Sequence, residues 1–248
     1  MAEADELQAS VRARRELSQA IPVLCEQGEL GRAEALLRER ESARESEQAD
    51  TAAAFASVEA RLLRAQDRPV EALAAAERGL AHRSELGITN SYVKRCLVEA
   101  LEAALDLDDL PKAAELLAGI ETLQPGELTP SVRAHGHRFR ARLDARRDGE
   151  QVDDDFRTAE TIFREHDLVF HRAVTQLEHA EWLAAKGRSE DARPLLAEAR
   201  DTFQQLQALP WLDRLEAAAG GLPAVQPLER ATSRDASDAL AEERAERV

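Results

Sequence analysis

The chain has 248 residues, 44% of them hydrophobic, and 48 acids against 33 bases give it a formal net charge of −15. A surface field of that sign repels nucleic acid and anionic membranes, and no run approaches the roughly 18 apolar residues that a membrane span requires. The opening MAEADELQASVRARR carries acids where a secretory signal would carry bases ahead of an apolar core, so the reading is a cytoplasmic protein with neither nucleic-acid nor membrane partners.

The apolar fraction is mostly Ala and Leu, aromatic residues are only 4%, and β-branched residues are scarce. Strong helix formers therefore dominate nearly every window, and the residues that strands favour are missing. The fold class expected is all-α.

Apolar positions at i, i+3, i+4 and i+7 predict five helix pairs in chain order, over 4–44, 48–84, 90–123, 130–165 and 169–206. A short last helix, Trp211 to Ala219, covers the end. Within each pair a tight break precedes a helix with a small residue in its first turn: EQGELGRAEALL with Ala33, AQDRPVEALAAA with Ala72, DLDDLPKAAELL with Ala113 and AKGRSEDARPLL with Ala192. RDGEQVDDDFRTA places Asp155 at the corresponding point, so the marker recurs every 37 to 42 residues. Gly28 and Gly187 suit the positive φ that ends a helix, and Asp67 and Asp108 stand where other copies have Gly. Pro69 and Pro111 suit a first helical turn. Ser189 reads as the N-cap of the helix that Glu190 and Asp191 begin. Residues 1–219 thus form one repeat domain, and 220–248, with Gly220, Gly221, Pro223 and Pro227 and little apolar content, a flexible charged tail. Cys25 and Cys96 read as packed side chains in a reducing compartment.

The last copy has Ala180, Leu183, Gly187, Ala192 and Ala199 at fixed offsets, and the first has Leu17, Ala20, Ile21, Leu24, Gly28, Leu30 and Ala33. These units resemble the tetratricopeptide repeat. Residues 130 to 219 resemble the C-terminal repeat region of bacterial adenylate-cyclase-type and LuxR-type (MalT-like) regulators. The resemblance implies a right-handed superhelical solenoid whose ligands lie on the concave side, along the first helix of each pair. The spacing is longer than the family's usual 34 and would also suit HEAT-type repeats; Glu59 and His179 occupy positions that are normally apolar.

Motifs for chemistry are missing. No Gly is followed by Lys and then Ser or Thr as a P-loop requires, and His171 and His179 are eight apart with no third ligand. His135 and His137, two apart on a helix, point in different directions. A non-enzyme without cofactor or metal is expected, with the histidines solvated or facing the groove. Trp182 and Trp211 read as packing residues.

Counting back from the markers turns Ser18, Cys25, Ser57, Arg61, Arg64, Arg95, Val98, Glu102, His137, Arg140, Asp144, Leu177 and Glu181 toward the concave side. Arg61, Arg64, Arg95 and Arg140 in an acidic protein point to a partner with an acidic segment, since guanidinium forks pair with carboxylates. Arginines on a solvated helix face are the plain alternative. A chaperone-type carboxylate clamp is excluded, because Asn90 is the only Asn and Lys94, Lys112 and Lys186 the only lysines. Two functions follow: a scaffold that binds a protein or peptide segment in its groove, or a sensor module that binds a small molecule or partner and acts on a separate catalytic or DNA-binding chain.

Overall fold

The computed structural model describes residues 17–147 and 149–221. Residues 4–16 of the first expected helix and the expected tail from 222 lie outside the described residues. Those described are all-helical, with no strand. In order they form α1 (17–26), α2 (Leu30–Arg38), a 3-10 turn (Glu41–Glu45), α3 (Ala49–Ala65), α4 (Pro69–Leu80), the single turn α5 (Arg83–Leu86), α6 (Ser91–Asp106) and α7 (Leu110–Glu121). Then come α8 (Pro130–Ala145), α9 (Val152–Glu165), α10 (Val169–Ala185), α11 (Ser189–Leu206) and α12 (Leu209–Gly220). No helix among the described residues is long and apolar enough to cross a membrane.

The helix ends have local causes. Gly28 and Gly187 take φ of 79° and 76°, and Asp67, Asp108, Asp167 and Gln207 take φ between 53° and 58°. At each of these six turns the next N–H reaches back five residues to a carbonyl, as from Glu29 to Leu24 at 2.8 Å and from Arg188 to Leu183 at 2.8 Å. That bond satisfies a carbonyl the helix end would otherwise leave unpaired. Aspartate can replace glycine because its short side chain tolerates the left-handed region. Starts are fixed in the same local way. The Asn90 side chain accepts from the N–H of Tyr92 (2.8 Å) and caps α6, while Pro69, Pro130 and Pro210 occupy first turns whose N–H groups need no partner. One expectation fails: α11 is preceded by Arg188, not capped by Ser189, and the Arg188 guanidinium donates to Asp191 (2.7 Å) and Asp153 (2.6 Å). The last helix also begins earlier than expected, at Leu209.

The helices α3, α6, α8, α10 and α12 pack one on the next, and α4, α7, α9 and α11 lie against them. Close approach depends on small residues. Ala53, Ala54, Ala60, Ala100, Ala103 and Ala104 are fully buried, as are Ala33, Ala72, Ala113 and Ala192 at the recurrent marker position. Asp155, at the same marker position, is also buried, and its carboxylate meets His137 Nδ1 at 2.5 Å. Gly79 of α4 is the tightest point: a Cβ there would lie 2.2 Å from Cys96 Sγ and 3.1 Å from the Cβ of Ala56. Gly79→Ala is expected to lower stability by about 1–3 kcal/mol despite the better helix propensity of Ala. Urea unfolding should show the loss, and Cys96→Ala in the same chain should recover most of it, because it clears the obstructing sulfur.

Candidate functional site

The inner helices carry charge where an ordinary core would carry leucine. Arg138 of α8 is 1% exposed. Its Nε donates to Glu178 Oε2 (2.6 Å), and its Nη2 to Glu178 Oε1 (2.6 Å) and Glu102 Oε1 (2.7 Å). Arg142, one turn on, donates to Glu102 Oε2 at 2.6 Å. Glu99 accepts from Arg61 (3.1 Å) and Arg64 (2.9 Å), and Arg61 also reaches Glu26 of α1 (3.2 Å). Two clusters of acids and bases result, one spanning α1, α3 and α6 and the other α6, α8 and α10, coupled electrostatically through Arg64 and Glu102. Burial by itself would raise the Glu102 carboxyl, but Arg138, Arg142 and Arg64 outweigh it and hold the group well below the usual carboxylate range. Glu178 is lowered by Arg138 and Arg142 in the same way, again against its burial. Glu26 is raised, because its burial, with Glu99 nearby, outweighs Arg61 and Arg95.

This network borders a cavity of about 350 Å³, within the usual range for small-molecule sites. Its walls come from α1, α3, α6, α8, α10 and α12, with none from the outer helices. One side is apolar, formed by Val58, Val98, Val174, Phe170 and Trp211. The other carries Arg61, Lys94, Arg95 and Arg138 against Glu26, Glu99 and Glu102. The end is closed where α12 returns to the first turn of the chain: Pro210 would lie 3.3 Å from a Cβ on Gly28. Arg61 sits 5.9 Å from the centre of the Phe170 ring, whose edge meets Trp211 at 5.7 Å.

His135 and His171 form part of the wall, with ring centres 4.8 Å apart at 81°. His135 is 3% exposed and its Nδ1 has no hydrogen-bond partner. Burial holds His135 well below its ordinary pKa, helped by His171 and Arg138; burial, with Arg138 and Arg61, lowers His171 to about 3. Both rings are thus neutral. The thiols are equally inert, since burial pushes Cys25 up to about 11 and Cys96 up to about 12. No group of three or more His, Cys, Asp or Glu that could hold a metal occurs among the described residues.

Of the residues expected on the concave side, Ser57, Arg61, Arg95, Val98 and Glu102 line the cavity. Arg64 and Cys25 lie in the adjoining seam beside Pro210 and Trp211. The rest are elsewhere. On α8 the facing residues are Ser131, His135 and Arg138, whereas His137 turns to Asp155, Arg140 to Glu121 (2.8 Å) and Asp144 to the turn at Gly149. A register error of two residues rotates a helix by about 200°, which moves a side chain to the far face. On α10, Leu177 is fully buried against α11, and Glu181 accepts from Arg214 at 2.8 Å; Phe170, His171 and Val174 face the cavity instead. Ser18 is buried and gives its carbonyl to Arg95 Nη1 at 2.6 Å. His179 is also buried, its two ring nitrogens meeting Glu160 (2.7 Å) and Asp153 (2.9 Å). The missed residues had one signal: between Pro130 and Ala145 only Val132, Phe139 and Leu143 are large and apolar, too few for a helix packed on three sides.

These helices and this cavity define an all-α protein with a half-open, mixed-charge cavity. No known family, no curated protein and no solved structure matches the chain.

Proposed function

We propose that the protein is a non-catalytic sensor module: it takes an effector into the central cavity and conveys the resulting change in curvature to a separate partner chain. In this reading the helices form a tetratricopeptide-like, right-handed solenoid of five antiparallel pairs with α12 as its cap. The observation that carries it is the origin of the cavity walls, which come from the inner helices alone and from both ends of the array. A ligand touching α1, α3, α10 and α12 together changes the energy of opening that ring, so binding and curvature are linked. Inert thiols and neutral, buried imidazoles beside arginines suit recognition more than turnover.

The scaffold reading stays as the second, favoured by one feature. Lys94 and Arg95 at the rim form no ion pair among the described residues, and Arg95 spends one N–H on the Ser18 carbonyl, so Lys94 and the rest of the Arg95 fork are open to an acidic segment. Arg61 and Arg64 are already occupied by Glu26 and Glu99, and α12 obstructs the path of an extended chain. A pull-down with the full chain separates the two. Partner yield should change when small molecules are dialysed out of the extract and return when they are added back. A yield indifferent to that fraction overturns the sensor reading and leaves the scaffold.

A further inference from the structure

We propose that the cavity is a binding site for a small organic oxyanion, a carboxylate or a phosphate monoester, with an apolar body. The charge would sit at the rim beside Lys94 and Arg95, and the body against Phe170, Val98 and Val174. The inference rests on the reading above only in taking the concavity as the recognition surface.

Three independent observations converge on it. The first is charge. In a chain of net charge −15, the rim presents two cations outside any ion pair among the described residues, Lys94 and Arg95, although Arg95 donates to the Ser18 carbonyl (2.6 Å) and feels Glu26 and Glu99 nearby. The deeper arginines, Arg61 and Arg138, are already paired.

The second is the direction of the helices. Ser91, Ser131, Phe170 and Trp211 all border the cavity, and each stands in the first turn of its helix, α6, α8, α10 or α12. Four helix starts therefore meet at one site. The first-turn N–H groups of α6, α8 and α12 are largely taken by Asn90, Thr129, Gln207 and Ala208, so what these starts offer an anion is chiefly their aligned dipoles, each roughly half a positive charge.

The third is His135. It is 3% exposed, stands in the cavity wall, and its Nδ1 has no hydrogen-bond partner among the described residues. A buried polar group left unpaired costs about 1–3 kcal/mol. The unpaired nitrogen itself has almost no accessible surface, so a ligand with a polar atom next to its charged group removes that cost by turning the ring to bring the nitrogen to the cavity. The apolar wall excludes a bare inorganic ion as the best occupant, since it would leave Phe170, Val98 and Val174 facing water. A volume of about 350 Å³ suits a single-ring acid better than a peptide segment.

The test uses the full chain with Trp182→Phe, which leaves Trp211 in the wall as the only indole. Phenylacetate, phenyl phosphate, the neutral phenethyl alcohol, inorganic phosphate and a hexaglutamate peptide are each titrated against Trp211 emission. At least one aromatic anion should saturate with Kd below about 1 mM and bind at least about tenfold more tightly than the alcohol or inorganic phosphate. The two aromatic arms distinguish carboxylate from phosphate. Lys94→Glu, which breaks no bond present among the described residues, should weaken that anion by about tenfold or more while circular dichroism stays unchanged. His135→Phe should weaken it too, with His135→Asn partly restoring binding. Aromatic anions that bind no better than the alcohol, unchanged affinity in Lys94→Glu, or saturation by hexaglutamate alone would each overturn the proposal. A partner captured independently of small molecules would sink the sensor reading and leave the anion site standing.

Discussion

Replacing Arg138 by Met is expected to lower the unfolding free energy by about 3–5 kcal/mol at neutral pH, more than most single changes on this chain. The guanidinium is 1% exposed and joins Glu102 to Glu178. Its loss leaves Glu178 buried with only the longer contact to Arg142 at 3.3 Å. The penalty is that of an under-compensated buried charge, not the net worth of the pair. Removing both partners, as in Arg138→Met with Glu178→Leu, should therefore recover much of the loss. Urea unfolding of the single and double variants checks this. A loss below about 1 kcal/mol in the single variant would mean that water reaches the network.

Stability should also fall as pH drops below about 6.5, before the carboxylates titrate. His135 and His171 have folded pKa values below their unfolded value of about 6.5, His171 at about 3. For such a group the unfolded chain binds the proton first. Its contribution is complete above about 6.5 and is lost as pH falls toward the folded value, by at most about 1.4 kcal/mol per unit for each ring. His171 by itself should remove about 1.5 kcal/mol between pH 6.5 and 5, and His135 adds a loss of the same sign. The depressed Glu102 and Glu178 add a further loss below their unfolded value of about 4.5, whereas Glu26 and Asp106, whose folded values are raised, bind protons first in the folded state and so offset part of the histidine loss above their unfolded values of about 4.5 and 3.8. Urea midpoints from pH 7.5 to 5 measure the slope. His135→Phe with His171→Phe, which keeps the aromatic packing around Phe163, should flatten it. An equal slope in that variant would place the effect elsewhere.

The fold class was legible because its causes are local. Gly28, Gly187, Asp67 and Asp108 end helices by their own backbone preference, and Ala33, Ala72, Ala113 and Ala192 are small wherever the chain must pass close to itself. Neither property depends on a distant partner. The site was legible only in part. Arg61, Arg95, Val98 and Glu102, reached by regular spacing, do line the cavity, but on α8 the irregular approach through Asp155 shifted the count by two residues. That exchanged His135 and Arg138 for His137 and Arg140.

The role of each charge was the least legible feature. Arg61 lies 38 residues from Glu99, Arg64 lies 35 from the same acid, and Arg138 lies 36 from Glu102 and 40 from Glu178. These separations are close to the marker spacing, so the partners stand at similar heights on neighbouring inner helices. A list of arginines at regular spacing cannot show whether they face a ligand or a glutamate. By itself the sequence determined that the chain is helical, where its helices end and which residues are small enough for contact, since backbone preference and side-chain volume act within a few residues. The tertiary structure alone decided that most of the arginines are consumed by internal carboxylates, that His135 and not His137 meets the cavity, and that α12 closes it, because each depends on helices brought together from opposite ends of the chain.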